Sequence, residues 1–524
     1  MTERVRLRSY LGGRWVDGDG PGVTLVNPAM EEPLAVAASA GLDRGAALEH
    51  ARQVGGPLLR GMSFAERGRL LKAMSDAIQA RREELLDLAV ANGGNTRGDA
   101  KFDVDGAAVT LSAYAELGQR LGDAKLLADG DGIALARLPR FHGQHVAVPR
   151  HGVAVHVNAF NFPAWGLAEK AACALLAGMP VVAKPATSSA LVAHRLMEIL
   201  EPVLPPGVLS LLIGEAGDLL DQLGAQDVVA FTGSGATGAR IRGLPNVLEH
   251  NIRVNVEADS LNAAILGPDA EPGSETYELY LKDVVRDITQ KAGQKCTAIR
   301  RILAPASVAE RLREDLLDRL KAVVVGNPAT EGVRMGPVAT RQQYDDVREG
   351  IGALARDGRL VLGQDRIDGI GAPPGKGFFV APALIELEAG AAAPTVHSLE
   401  VFGPCATLVP YSGVATQAAE IVGRGNGGLV ASVYSEDTGF VGEAVVGLAP
   451  YHGRIFLGSA KIAELSPGPG TVLPLLVHGG PGRAGGGEEL GGVRGLAFYM
   501  QRVALEGSRP LIEKVTGIKT AHAD

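Results

Sequence analysis

Cysteine is scarce in this chain: Cys173, Cys296 and Cys405 are the only three among 524 residues, with no CxxC spacing. That excludes a disulfide framework and a four-thiolate zinc site, fits a reducing compartment, and leaves any functional cysteine to act as a single thiol. Aromatic residues are few, at 4%, and positive charge is in the minority, with 51 Lys and Arg against 59 Asp and Glu and a formal charge of −8. This argues against nucleic acid or a membrane surface as partner and for a small molecule. Long apolar runs are also missing. The longest charge-free run in the central region, Ala171 to Ala183, spans about 13 residues and is interrupted by Pro180, short of the ~20 that cross a bilayer, so it reads as buried core. The opening stretch, MTERVRLRSYLGGRW, has no apolar segment of secretory-signal length, and the expected location is cytoplasmic. None of the 11 histidines has a ligand spacing, so no metal site is expected, and His397 and His478 read as structural or solvated.

Glycine, by contrast, is abundant at 70 residues, and 46% of the chain is hydrophobic. At roughly 100–200 residues per domain the length implies two to four domains. Ser63-Phe-Ala-Glu66 is a capping-box pattern, followed by Leu70, Leu71, Met74, Ala77 and Ile78 at helical spacing, which predicts a long amphipathic helix ending before Gly93-Gly94. From Asp129 to Arg150 the pattern alternates like an extended ribbon. Between His151 and Phe231, apolar runs at Val153–Val157, Val181–Lys184, Val208–Ile213 and Val228–Phe231 alternate with helical stretches from Trp165, from Ser188 to Leu200, and briefly before Val228. Such alternation predicts a parallel sheet buried on both faces. A second alternation, with strands at Ala263–Leu266, Arg301–Ala304 and Leu429–Tyr434, runs to about Ala460. The stretches Gly371–Gly377, Ser466–Gly470 and Gly479–Gly492 read as loops or boundaries.

Two places carry chemistry on their own terms. The strand ending at Phe231 runs into Gly233-Ser-Gly235-Ala-Thr-Gly238, a GxGxxG whose glycines let a phosphate approach backbone N–H groups at a helix start; a tight turn that binds nothing is the plain alternative. Glu257, 19 residues later, stands where a ribose-binding acid would. Cys296, in Lys291-Ala-Gly-Gln-Lys-Cys296, lies in a basic stretch where a neighbouring cation would raise its thiolate fraction; it is the best nucleophile candidate, with a structural thiol as the alternative. Cys173 and Cys405 sit among apolar neighbours and read as core.

The chain resembles the aldehyde dehydrogenase superfamily over nearly its whole length, through Asn161-Phe-Pro163, Val181-Val-Ala-Lys-Pro185, Phe231-Thr-Gly-Ser234, Glu257, Gly293-Gln-Lys-Cys296, Glu400-Val-Phe-Gly-Pro404 and Asn426-Gly-Gly-Leu429. Val256-Glu-Ala-Asp-Ser-Leu-Asn262 and the glycine-rich segment from His478 to Gly492 are similar to the branch acting on CoA-linked semialdehydes in aromatic-acid breakdown. The resemblance implies an α/β fold with a Rossmann-like cofactor domain (1–128 and 151–259), an α/β catalytic domain (260–465), and a small β oligomerisation element with a C-terminal tail (129–150 and 466–524). It also implies a homodimer or dimer of dimers.

By the same resemblance Cys296 is the nucleophile, Asn161 an oxyanion donor, and Glu257 the base that activates water, with burial expected to raise its pKa; this replaces the ribose-acid reading. Lys184 would face the adenosine ribose of NAD(P), Gly233 and Ser234 the pyrophosphate, and Glu400 with Phe402 the nicotinamide riboside, with Thr187, Gly217 and Phe231 also among the cofactor-binding residues. Many NAD-preferring relatives carry a glutamate where this chain has Thr187, so NADP is expected, with NAD admitted; a helix-cap role for Thr187 is compatible with both. Ala258-Asp259 stands where most relatives carry Leu-Gly-Gly after the glutamate, and losing those glycines would restrict how Glu257 swings. The expected substrate is a CoA-thioester aldehyde of the 3,4-dehydroadipyl-CoA or 3-oxo-5,6-dehydrosuberyl-CoA semialdehyde type. A small free aldehyde, an acylating reaction and an inactive nucleotide-binding relative are the alternatives.

Overall fold

Strands made of short, unbroken apolar runs need cover on both faces, and two sheets are built on that requirement. In the computed structural model, which describes residues 5–137, 140–363 and 366–518, the parallel strands Arg253–Glu257, Val228–Thr232, Ala154–Val157, Val181–Lys184 and Leu209–Leu211 lie side by side in that order. Ser9–Leu11 and Arg14–Val16 extend the sheet antiparallel to seven strands. Val181 and Leu211 face one apolar core, while Val155, Val182 and Val229 face another. The chain runs outward from Ala154–Val157 on one side and returns on the other, and such a reversal opens a crevice beyond the carboxyl ends of the strands.

The second seven-stranded sheet has the order Arg359–Leu362, Ala383–Glu386, Cys405–Tyr411, Ile299–Pro305, Asn262–Leu266, Gly428–Tyr434 and His452–Gly458, parallel except at its first pair. It too separates two cores, with Ala263, Ile265 and Val433 on one face and Ala264, Leu266 and Tyr434 on the other. Residues 258–261 alone separate the last strand of the first sheet from the earliest strand of the second. The α/β fold expected from the sequence is therefore present as two parallel-sheet layers sharing one cleft.

Several local expectations change. The helix after Ser63 carries the full capping box, but it is two helices, Phe64–Ala80 and Arg82–Gly93, because Arg81 leaves helical geometry (φ −117°, ψ 20°). No helix lies between Ile213 and Val228: Gly214 and Gly217 hold left-handed backbone (φ +95° and +55°), which turns the chain instead. The ribbon expected from 129 to 150 is present as Phe141–Pro149, paired over nine positions with Met500–Ser508 and flanked by Leu127–Ala128 and Ile133–Ala134. The last six residues of the expected tail lie outside the described residues.

The stretch Gly479–Gly492 is not a boundary loop. Val477–Gly479 and Glu488–Leu490 pair antiparallel, and the turn between them packs so close to the first sheet that a Cβ on Gly485 would stand 2.2 Å from the Val256 carbonyl oxygen. Glycine is dense here because backbone meets backbone. Among the described residues no helix is long and apolar enough to cross a membrane.

Both halves of the capping box are made, Ser63 Oγ accepting from the Glu66 N–H and Glu66 Oε2 from the Ser63 N–H. Ser63→Ala is expected to lower stability by about 1 kcal/mol, read as a shift in the urea midpoint, with turnover unchanged.

Candidate active site

Cys296 is presented by a strained loop. Lys291 and Ala292 hold left-handed backbone (φ +53° and +51°), a conformation costing a side-chain-bearing residue about 1–2 kcal/mol, followed by Gly293 at φ +70°, where a Cβ would stand 2.1 Å from the Gly403 carbonyl oxygen. The surrounding structure fixes this path. Asn262 Nδ2 donates to the carbonyls of Cys296 (2.8 Å) and Ala298 (2.9 Å), while its Oδ1 accepts from Ser260 Oγ (2.6 Å) and the Val430 N–H (3.0 Å). Gln294 is tied to the Lys291 carbonyl and the Ala339 N–H, and Thr297 Oγ1 donates to the Gly470 carbonyl.

The lysines flanking Cys296 do not activate it, contrary to the reading of this stretch as a basic environment. Lys291 Nζ is buried against Asn95 Oδ1 (3.0 Å) and lies over the Phe162 ring, and Lys295 Nζ is spent on Asp287 (2.6 Å) and Gln290 (2.8 Å). Burial pushes the Cys296 thiol well above its ordinary range, and the carboxylates of Glu257, Glu169 and Glu400 add to the shift. Cys296 Sγ therefore sits in a buried setting where nearby carboxylates disfavour its thiolate.

Glu257 ends its strand with its side chain sealed, and the shift expected for it is reversed. Burial alone would raise the carboxyl, but His478 and Lys170 hold it well below its ordinary range. His478 Nε2 lies 3.2 Å from Glu257 Oε2 and 3.9 Å from Cys296 Sγ. One ligand atom from each of Cys296, His478 and Glu257 lies within 4.8 Å of the others. His478, read from the sequence as structural or solvated, is thus part of the centre. Burial pushes its imidazolium down, but Glu257, Glu169 and Glu489 outweigh that and raise it.

Behind the pair sits a second buried cluster. Lys170 Nζ, with its side chain 1% exposed, lies 3.1 Å from Glu489 Oε2 and 3.2 Å from Glu169 Oε1. Oxygens of Glu169, Glu257 and Glu489 lie within 4.8 Å of one another, and Lys170 bridges two of these carboxylates, Glu169 and Glu489. None of these charges had a local signal in the sequence: Glu169 and Lys170 sit in an apolar helix, Trp165–Ala177, and Glu489 opposes His478 across the hairpin.

Two cavities meet at Cys296. The narrower, about 40 Å³, is walled by Phe102, Phe162, Trp165 and Val472 and reaches Asn161, Glu257 and His478. The aromatic rings stack edge to face, with centroids 5.2–5.7 Å apart. The wider, about 430 Å³, runs past Gly233, Ser234, Asp259, Glu400 and Phe402. Asn161, 8% exposed, borders both; its Nδ2 donates to the Gln294 carbonyl at 3.0 Å, which orients the amide.

The wider cleft fits a nucleotide cofactor. Glu400, pushed up to about 7 by burial against the pull of Arg300, accepts from the Ser260 N–H through Oε2, while its buried Oε1 has no hydrogen-bond partner and Arg300 stands 3.6 Å away. Thr232 Oγ1 is likewise buried without a partner, so the cleft holds polar atoms that await a polar ligand. Ser234 caps the helix Gly235–Arg242, and Asp259 Oδ1 accepts from the Gly235 N–H at 3.1 Å.

Of the expected cofactor residues, Gly233, Ser234, Glu400 and Phe402 line this cleft, whereas Lys184, Thr187, Gly217 and Phe231 do not. Phe231 is buried beneath Gly233. Lys184 ends its strand, largely desolvated and near Glu215, and Gly217 packs on Arg44. Thr187 opens a 3₁₀ turn whose cap is Ala186, with no side-chain cap bond, so its helix-cap reading does not hold.

Comparison with known proteins agrees with this architecture. The model described as "Aldehyde dehydrogenase family" matches residues 15–502. The chain is 47% identical over 480 residues, 91% of its length and 93% of the relative's, to 3,4-dehydroadipyl-CoA semialdehyde dehydrogenase of Aromatoleum evansii. It is 29% identical to alpha-ketoglutaric semialdehyde dehydrogenase of Bacillus subtilis, over 89% of this chain and 93% of that one. Among solved structures, a lactaldehyde dehydrogenase superposes with TM-score 0.84 at 23% identity, covering 97% of this chain and 100% of the other. Betaine aldehyde dehydrogenase of Staphylococcus aureus, in complex with NAD+, gives 0.81 at 24%, covering 96% and 95%.

Removing one partner from a buried charge network costs about 3–5 kcal/mol. Lys170→Met is expected to destabilise the protein on that scale, and Lys170→Met/Glu489→Gln less, because the double change removes one of the stranded carboxylates. Urea unfolding of the two variants measures the difference.

Proposed function

The chain belongs to the aldehyde dehydrogenase family, and from that premise we propose that it oxidises a CoA-linked semialdehyde of the 3,4-dehydroadipyl-CoA type to the carboxylic acid in aromatic-acid breakdown. The observation that carries the reading is the convergence of Cys296, Glu257 and Asn161 where the narrow apolar channel meets the wider cleft. The identity to the Aromatoleum evansii enzyme supports the substrate class, and the aromatic walls of the channel suit an acyl chain that ends in an aldehyde.

In this mechanism Cys296 Sγ attacks the aldehyde carbon to give a thiohemiacetal. The Asn161 amide, oriented by Gln294, donates its second hydrogen to the oxyanion together with the Cys296 backbone N–H; such a donor is worth about 10²–10³ in rate. NAD(P), used across the family, supplies the hydride acceptor when bound. Glu400 and Phe402 would hold the nicotinamide riboside, Gly233 and Ser234 the pyrophosphate, and Lys184, Thr187 and Gly217 the adenosine. Asp259 already takes the Gly235 N–H, so the pyrophosphate depends on the donors around Ser234. Glu257 then deprotonates the water that hydrolyses the Cys296 thioester. Neutral Thr187 leaves room for a 2′-phosphate without charge repulsion, which supports NADP over NAD. The assembly is a homodimer or dimer of dimers, for which Met500–Ser508 offers an exposed strand at the edge of its sheet.

Rapid mixing of Glu257→Gln with the CoA-linked semialdehyde and NADP is expected to form about one equivalent of reduced nicotinamide per active site and then stall, and Cys296→Ala to form none. Steady turnover of Glu257→Gln near the wild-type rate would overturn the base assignment. Comparing the CoA-linked and CoA-free aldehydes tests the substrate class: faster turnover of the free aldehyde overturns it. Thr187→Glu is expected to shift the kcat/KM ratio towards NAD by tenfold or more.

A further inference from the structure

Both contacts of the His478 ring fall on one nitrogen. Nε2 faces Glu257 Oε2 at 3.2 Å and Cys296 Sγ at 3.9 Å, so its single N–H serves one anion fully at a time. We propose that His478 is the movable counter-charge of the reaction: its Nε2–H binds the Glu257 carboxylate in the resting enzyme and transfers that hydrogen bond to the Cys296 thiolate for attack. The proposal deepens the mechanism above and rests on its assignment of Cys296 and Glu257.

The need for such a charge follows from what surrounds the sulfur. Glu257, Glu169 and Glu400 all oppose a thiolate, and Lys170 is engaged by Glu169 and Glu489. Arg454, on the edge strand His452–Gly458, donates to the carbonyls of Thr471 and Pro469. Among the described residues His478 is the titratable cation in contact with the sulfur. Its own surroundings are Glu257 from the first sheet, Glu169 and Lys170 from the helix Trp165–Ala177, Glu489 across the hairpin, and Cys296.

The proton accounting closes. In the resting centre the thiol is neutral and the Glu257 carboxylate pairs with the His478 imidazolium. The S–H bond breaks as an O–H bond forms on Glu257; the imidazolium keeps its proton and turns to the sulfur, giving a thiolate–imidazolium pair beside a neutral carboxyl. Attack forms the C–S bond as the C=O π bond breaks, so the charge passes from sulfur to the oxyanion held by Asn161 and the Cys296 backbone N–H, and it is discharged when the C=O bond re-forms as hydride leaves for the bound nicotinamide. The imidazolium then faces Glu257 alone and favours loss of the carboxyl proton to water in the cleft, which restores the base before hydrolysis. The same cation therefore assists the nucleophile first and the base second. A permanently committed cation such as Lys170 cannot do this, because its two carboxylates hold it in place.

Alkylation of Cys296 by iodoacetamide across pH reads this without aldehyde or cofactor, with Cys296→Ala giving the background from the two buried cysteines. His478→Gln, which keeps a hydrogen-bond donor and loses the charge, is expected to slow alkylation at pH 7 by tenfold or more and to move the midpoint to higher pH. Glu257→Gln is expected to accelerate it by tenfold or more, since the imidazolium is released to the sulfur, and the double variant is expected to lose that gain. An unchanged profile in His478→Gln overturns the proposal, as does a Glu257→Gln gain that survives in the double variant. Because Glu257→Gln carries half the test, the result stands even if one His478 variant misfolds. Failure of the substrate assignment is distinguishable: it leaves the alkylation profiles as expected while turnover of the CoA-linked aldehyde is absent.

Discussion

The contact between His478 and Glu257 joins a hairpin near the end of the chain to the last strand of the first sheet, and the charge distribution around Cys296 depends on it. Burying a carboxylate costs several kcal/mol unless a cation and hydrogen bonds replace its water. This centre buries three, Glu169, Glu257 and Glu489; Lys170 lies between Glu169 and Glu489, and His478 Nε2 lies 3.2 Å from Glu257 Oε2. The arrangement requires the hairpin to reach the strand, and the hairpin reaches it through glycines whose backbone packs on the Val256 carbonyl. The Gly487 N–H donates to that same carbonyl at 3.2 Å. Glycine density in the late sequence is thus the steric condition for an electrostatic one.

A second constraint is the shape of the nucleophile loop. Two non-glycine residues, Lys291 and Ala292, hold left-handed backbone, with Lys291 tied to Asn95 and Gln294, and Asn262 fixes the chain just beyond them. All four of its hydrogen bonds are internal and tie the start of the second sheet to the carbonyls on both sides of Thr297. Residues 258–261 alone separate Asn262 from Glu257, so the Glu257 carboxylate and the tether of Cys296 belong to one short crossing between the two sheets. A displacement of either sheet would move both, and their relative position is therefore fixed by covalent connection as well as by packing.

The sheets were legible in the sequence because short β-rich runs alternating with helical periodicity admit few arrangements. Cys296, Glu257 and Asn161 were legible through motifs. The electrostatics were not, because charge in a folded centre is decided by residues remote in sequence. His478 is 182 positions from Cys296 and sits at the edge of a segment whose composition reads as loop. Lys291 and Lys295 are near in sequence, yet their ammonium groups are taken up by Asn95 and Asp287. The expected rise of the Glu257 pKa failed for the same reason: burial is visible in an apolar strand, but the cations that outweigh it come from a helix and a hairpin elsewhere. Glu169 and Lys170, inside an otherwise apolar helix, carried no functional reading at all.

Ala258-Asp259, where relatives carry Leu-Gly-Gly, raised the question of whether Glu257 can move, and the hydrogen bonds locate that freedom. The Glu257 carbonyl accepts from the Gly233 N–H at 3.1 Å, and the Ala258 N–H donates to the Ala484 carbonyl at 3.0 Å. Asp259 adds a third tie through the Gly235 N–H. The backbone is therefore pinned on both sides of the carboxylate, to the glycine turn of the first sheet and to the hairpin. Repositioning of the carboxylate is therefore left to the side-chain torsions of Glu257, whose Oε2 lies 3.2 Å from His478 Nε2. Losing the glycines after Glu257 thus costs backbone freedom, and the contact that meets the carboxylate comes from the hairpin rather than from the strand that carries it.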